Sequence, residues 1–388
     1  MKKIVSAFSI IAFGVLLFSC TKEKEAIPAA QTVFTVYDST NFKSNTTNET
    51  SLKGDFTSLV NEIKKARVSS YKLTENTLNT LYSSKLQAAT TPYFKEQINL
   101  FIPEIAKSST GGLYNYGIDT LGNGGVFGLG SSAYLFDEKG LEIEQLIDKG
   151  MFAATLYNES LKYFKSNTLN SADVDKLLSL YGAHPSFPNT PTASKTSNPD
   201  AFIANYAARR SDINDENSIY ILIKKSFINL KGMVADPSSN AIAIENEKMA
   251  IRKNMEKVLA ATVINYLFAI EKNLNLYKDN ALDNTKALPT VNQTAAAMHA
   301  YGECVGFIWG LKNIDAAYKT IAESDITYVL SELRVPSFKT HNAYLIDKIY
   351  QDGLLRAGNV KSKLKSIYAF SDAEMEGFRN NWVSTQAR

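Results

Sequence analysis

The 388-residue sequence predicts an all-α protein, a multi-helix bundle, on three observations. Apolar residues recur at helical spacing along most of the chain, and the stretch 241–277 contains neither proline nor glycine. With 45% hydrophobic and 21% charged residues, there is enough apolar material for a large core. No fixed sequence period appears, which disfavours a solenoid.

The N-terminal end reads as an address. Lys2 and Lys3 precede an apolar run from Ile4 to Phe18, then Ser19 and Cys20. That run is shorter than the ~20 residues a bilayer-crossing helix needs, and the polar segment Thr21–Glu25 follows directly. Residues 1–19 are therefore expected to be an export signal. Leu17-Phe-Ser-Cys20 resembles a bacterial lipobox, in which the cysteine is diacylated and becomes the new N-terminus. Two or three acyl chains hold a protein firmly to a membrane where one does not. A plain secretory peptide with an incidental Cys20 is the alternative. The acid-containing stretch after Cys20 is similar to signals that send lipoproteins to an outer membrane.

Residues 20–50, rich in Lys, Thr, Asn and Ser, are expected to form a tether that ends in an extended segment near Thr32–Tyr37, with the helical domain spanning 51–388. Phe56, Leu59, Val60 and Ile63 begin the amphipathic pattern; Ile143, Leu146, Ile147, Ala154, Tyr157, Leu161 and Phe164 continue it. Further helices are predicted near 74–86, 92–107, 172–182, 200–209, 215–232, 325–334, 342–356 and 372–384. Ser371 and Glu374 form a capping-box pattern at the start of the last. The stretch 241–277 would make a rod of about 55 Å. The glycine-dense stretch from Gly111 to Gly130 predicts a long loop or hairpin between helices. Pro185, Pro188, Pro191 and Pro199 predict either a boundary between two helical halves near 184–200 or a long loop on one body.

Composition excludes several functions. Lys plus Arg number 42 and Asp plus Glu 39; removal of residues 1–19 takes away two lysines, so 40 minus 39 leaves a charge near zero. The basic residues are scattered, and nucleic acid is not an expected partner. Two cysteines and three histidines rule out a disulfide framework and a cysteine-rich zinc site. Cys304 is expected to be a small buried residue. There is no phosphate-binding loop, no Gly-x-Ser-x-Gly elbow and no His-Glu-x-x-His helix. The sequence points to no catalytic residues.

One helix stands out, Thr294–Gly310. His299 and Glu303 are four apart and share a face with Gly302, Gly306 and Gly310. Glycine inside a helix costs about 1 kcal/mol relative to alanine. Three at this spacing imply that another backbone comes very close, or that something fills the space. A carboxylate enclosed there must be paired, protonated or bound to a cation. Three readings are open: His299 and Glu303 close a polar gap by hydrogen bonding; they are two ligands of a divalent metal, iron or zinc, in a bundle core; or they serve acid–base chemistry. Glu142, Glu144, Gln145 and Asp148 are secondary candidates, on a helix whose Gly150, Ala153 and Ala154 could meet the glycine face. His184 and His341 read as ordinary loop or capping residues.

Leu141–Ala154, Leu180–Phe187, Tyr206–Arg210 and His299 with Gly306-Phe-Ile308 resemble a bacterial lipoprotein family, domain of unknown function 4856, over nearly the whole chain from about Tyr37. Members of that family resemble imelysins, all-helical envelope proteins associated with iron acquisition, which carry a Gly-x-His-x-x-Glu motif. Here Ala297 stands at the glycine position and Glu303 lies four residues after His299 instead of three. The resemblance implies imelysin-like helical halves and a lipid-anchored protein at the outer membrane. It implies an accessory role in metal or iron uptake, His299 and Glu303 handling the cation and an outer-membrane receptor as partner. The rivals are a non-catalytic scaffold lipoprotein and a surface glycan binder.

Overall fold

The computed structural model describes residues 34–116, 124–189, 200–274, 276–277, 281–282, 288–335 and 356–388. Two helices form its axis. Helix α11 (Ala241–Asn273) is buried on every side from Val258 to Ile264, and helix α12 (Val291–Gly310) from Ala300 to Gly310. A helix apolar all round belongs in the middle of a bundle. α12 starts at a capping box, Thr290 with Gln293, and packs against α11 on one side and α6 (Ile143–Met151) on the other. α10 (Ile219–Ala235) and α9 (Phe202–Arg210) cover α11, α5 (Pro92–Ser108) covers α6, and α8 (Ser171–Tyr181) lies on α10.

The remaining described helices wrap this axis: α1 (Phe42–Asn45), α2 (Thr47–Lys64), α3 (Glu75–Leu81), α4 (Ser84–Ala89), α7 (Asn158–Phe164), α13 (Glu323–Glu332), α14 (Ala357–Tyr368), α15 (Asp372–Gly377) and α16 (Trp382–Thr385). The protein is all-α. Among the described residues the strands are two short antiparallel pairs, β1 (Gly125–Phe127) with β2 (Tyr134–Phe136) and β3 (Leu276–Tyr277) with β4 (Ala281–Leu282). Phe34–Arg388 form one unit. Among the described residues no helix is long and apolar enough to cross a membrane.

The glycine face of α12 is filled by backbone. A Cβ on Gly306 would stand 2.4 Å from the Gln145 carbonyl oxygen, and one on Gly310 would stand 2.2 Å from that of Gly150. Of the two explanations the sequence allowed, close approach holds at these positions, and no guest space remains there. Beyond α6 the helix continues as a π-helical segment, Phe152–Tyr157, before α7. Its widened turn frees the Ala154 carbonyl, which accepts the Thr91 amide at 2.9 Å at the head of α5. Thr90 and Thr155 hydroxyls pair beside it at 2.8 Å.

Several boundaries differ from the sequence reading. The segment expected as tether through residue 50 packs on the body from Phe34 onward. The Phe34 ring occupies the place of a Gly232 side chain, and the Tyr37 hydroxyl donates to buried Asp175 at 2.7 Å. Lys231 and Asn45 donate to the same carboxylate, both at 2.7 Å. The rod expected over 241–277 ends at Asn273 and turns into β3. The helix expected over 74–86 breaks after Leu81, where Ser83 caps α4 through the Leu86 amide. The one expected over 372–384 breaks after Gly377. The prediction for 342–356 falls outside the described residues, as do Cys20, His341 and most of the 184–200 loop.

Candidate functional site

The site forms where α6, α12 and the end of α2 converge. On α6, Glu142 immediately before it, Gln145 and Lys149 follow one another by three and four residues and so face α12. Glu144 and Asp148 turn toward α2. α12 answers with His299 and Glu303, one turn apart. Arg67, at the end of a 3-10 turn after α2, reaches in from the side.

Four carboxylates, Glu142, Glu144, Asp148 and Glu303, are buried together. Arg67 donates to Glu144 through Nε (2.8 Å) and Nη2 (2.7 Å), and through Nη2 to Glu142 at 3.3 Å. Gln145 adds a donor to Glu144 at 3.0 Å. Lys149 binds Asp148 at 2.8 Å and stands 3.5 Å from Glu303. The Tyr266 hydroxyl donates to Glu303 at 2.9 Å. His299 lies between the two halves: Nδ1 is 2.6 Å from Glu142 Oε2, and Nε2 is 3.6 Å from Glu303 Oε2.

The imidazole side chain is 21% exposed, the only partial opening along the Glu142–His299–Glu303 line. Over it lies the ring of Tyr134, from β2, stacked at 4.2 Å and 13°. The guanidinium of Arg67 sits 4.7 Å from the centre of the same ring, so the phenol contacts a cation as well as the imidazole. The hairpin is held in place by the Leu129 amide, which donates to Asn292 at 2.8 Å. Gly128, at φ +94°, makes its turn, because a Cβ there would strike the Ser132 carbonyl at 1.9 Å.

Carboxylates outnumber permanent cations in this cluster, which favours holding protons there. Four carboxylates face two permanent cations, buried Lys149 and partly buried Arg67, with half-exposed Lys64 3.9 Å from Asp148 at the rim. Burial and neighbouring Glu142 push Glu144 up to about 7 despite Arg67. Burial alone would depress His299, but Glu142 and Glu303 outweigh it and hold the imidazole above its ordinary value. Burial likewise opposes the Lys149 ammonium, yet Asp148 first and then Tyr206 and Glu303 keep it charged. Burial, reinforced by Glu303, raises the phenol of Tyr266, which stays a donor.

The sequence-predicted pair is thus brought together, with Glu142 joined directly to it. Glu144 and Asp148 belong to the same cluster but sit on the Arg67 and Lys149 sides, away from the imidazole. Among the described residues no group of three or more His, Cys, Asp or Glu side chains is disposed to hold a metal ion. His299 Nε2 and Glu303 Oε2 remain a two-donor pair, and 3.6 Å lies within the span of two metal–ligand bonds of about 2.0–2.2 Å. Cys304 is buried on the other face of α12, its thiol toward the Val263 carbonyl. His184 pairs with Ser186 in its own loop.

Sequence reasoning missed Arg67, Tyr134, Lys149 and Tyr266. Lys149 carried a signal, since it continues the Glu142–Gln145 spacing along α6. The rest reach the site through tertiary contact alone. Comparison of the chain with family models, curated proteins and solved structures finds no match in any of the three.

Proposed function

We propose that the protein is a lipid-anchored envelope protein that captures a divalent cation, iron or zinc, at His299 and Glu303, in an accessory role in metal uptake. The observation that carries this reading is the order Glu142–His299–Glu303. A ligating histidine typically gives its second ring nitrogen to a carboxylate, which fixes its tautomer and raises its basicity. Buried Glu142 holds Nδ1 in that manner and leaves Nε2 facing Glu303. Neutral imidazole and carboxylate suit divalent first-row metals. The excess of carboxylates over permanent cations favours an added positive charge, and a bound cation would displace protons. With two protein donors, water or the cargo's own ligands complete the coordination, which suits transfer to an outer-membrane receptor better than permanent retention. The lipobox-like Leu17–Cys20 supports the anchor.

Titration of purified, chelator-treated protein with Zn²⁺ and, without oxygen, Fe²⁺ tests the reading. One ion per chain with proton release is expected. His299→Ala and Glu303→Gln should abolish binding while helix content is kept, and Glu142→Gln should weaken it by about 10–100-fold. Absence of stoichiometric binding by the wild-type protein sinks it.

One observation favours a second reading. Gly306 and Gly310 are consumed by backbone contact with α6, as a non-catalytic scaffold lipoprotein would use them. If His299→Ala lowers only the melting temperature and the wild type takes up no metal, the scaffold reading stands.

A further inference from the structure

A cleft of ≈190 Å³ opens where the start of α2 meets α4 and α7, away from the His299 cluster. Leu52, Ala88 and Ala89 give it an apolar wall, and Lys85, Glu159 and Lys162 bring charge to it. Glu49, from the first turn of α2, also lines it and is only 6% exposed. One of its oxygens, Oε1, accepts the Tyr163 hydroxyl at 2.9 Å. The other, Oε2, is buried and has no donor.

Such an oxygen is expensive to leave unsatisfied. The nearby ammonium groups each donate to an acceptor other than Glu49. Lys53, one turn along α2, donates to the Ser179 carbonyl at 2.7 Å; Lys85 donates to Ser51 at 2.5 Å; Lys162 pairs with Glu159. Glu49 therefore offers a carboxylate with one free acceptor, beside an apolar wall and two lysines whose ammonium groups have spare donors. The volume is below that of drug-sized pockets, so the occupant is small.

We propose that this cleft binds a small aliphatic α-amino acid, its ammonium on the Glu49 carboxylate, which turns Oε2 outward to meet it, its carboxylate toward Lys85 and Lys162, and its side chain on Leu52, Ala88 and Ala89. An amine alone or a carboxylate alone satisfies half of this arrangement. The zwitterion satisfies both halves, and its short hydrocarbon branch covers the wall between them.

Calorimetric or NMR titration with L-alanine and L-leucine tests it, with propylamine and isobutyrate as the two half-ligands. Saturable binding of at least one amino acid is expected, tighter than either half-ligand by about tenfold or more. Glu49→Gln should abolish it. Lys162→Ala, at a largely exposed position, should weaken the amino acid several-fold and leave propylamine unchanged; this variant remains informative if Glu49→Gln fails to fold. His299→Ala should have no effect, which separates this site from the metal reading. Lack of saturable binding up to about 10 mM, affinity undiminished in Glu49→Gln, or equal affinity for a half-ligand overturns the proposal, leaving water as the occupant.

Discussion

At the scale of single residues, the cluster around His299 ties stability to pH. Glu144 is raised from an ordinary carboxylate value to about 7, so the folded state holds its proton more tightly than the unfolded chain does. The folded state is unpenalised below the unfolded value and loses ground as pH climbs to about 7, by on the order of 3 kcal/mol. His299 acts in the same direction: its stabilisation is complete below its unfolded value near 6.5 and disappears as pH rises through its higher folded value. In metal-free protein, the melting temperature should therefore fall between pH 5 and pH 8. Glu144→Gln should flatten much of that fall, and parallel curves for the two proteins would contradict the assignment. Lys149→Met is expected to cost about 3–5 kcal/mol, because Asp148 and Glu303 would lose a buried counter-charge. Urea unfolding measures it. Of this cluster, His299, Glu303 and the acids on α6 were legible, because four-residue spacing on a small-residue helix is a local property. Arg67 lay hidden in the run Lys64-Lys65-Ala66-Arg67, and Tyr134 just past the glycine-dense stretch, since nothing local marks the residues that folding carries to a distant helix.

At the scale of elements, two glycine substitutions should have opposite signs. Gly54 lies exposed on α2 with no atom within 4 Å of a built Cβ, so Gly54→Ala should stabilise by about 0.5–1 kcal/mol through helix propensity. Gly310→Ala puts a methyl 2.2 Å from the Gly150 oxygen and should cost about 1–3 kcal/mol or more. Thermal melts of the two variants check the pair; a neutral Gly310→Ala would mean the seam yields. Helices with regular apolar spacing were read correctly from sequence. The failures have local causes. Ala357-Gly358-Asn359 looks like a turn, and Lys361, Lys363 and Lys365 dilute the apolar face of α14, which rests on Val360 and Leu364. No proline or glycine marks the end of α11 at Asn273, so the pattern overran it. The π-helical turn is invisible locally, since the Thr91 amide that meets its Ala154 carbonyl comes from the head of another helix.

For the whole molecule, the N-terminal segment is part of the body from Phe34. A chain beginning at Thr47 would strip Tyr37 and Asn45 from Asp175, which is fully buried, and uncover Gly232. It should unfold at lower urea than one beginning at Phe34, with a loss on the order of 3 kcal/mol. Identical midpoints would show the segment to be dispensable. On the reading of Cys20 as an acylated anchor, Cys20→Ser should shift the protein from the membrane fraction to the soluble one. Retention in membranes would remove the anchor from the proposal.

Main chain touches main chain where α6 meets α12, and the distance between Glu142 and His299 is set there. Two rods seated this tightly cannot swing like the halves of a clam, so entry to the imidazole falls to side chains that turn, Tyr134 foremost. Traffic of that kind is quick, on a nanosecond-to-microsecond clock, and should leave the outline of the molecule in solution scattering unaltered whether the imidazole is engaged or idle.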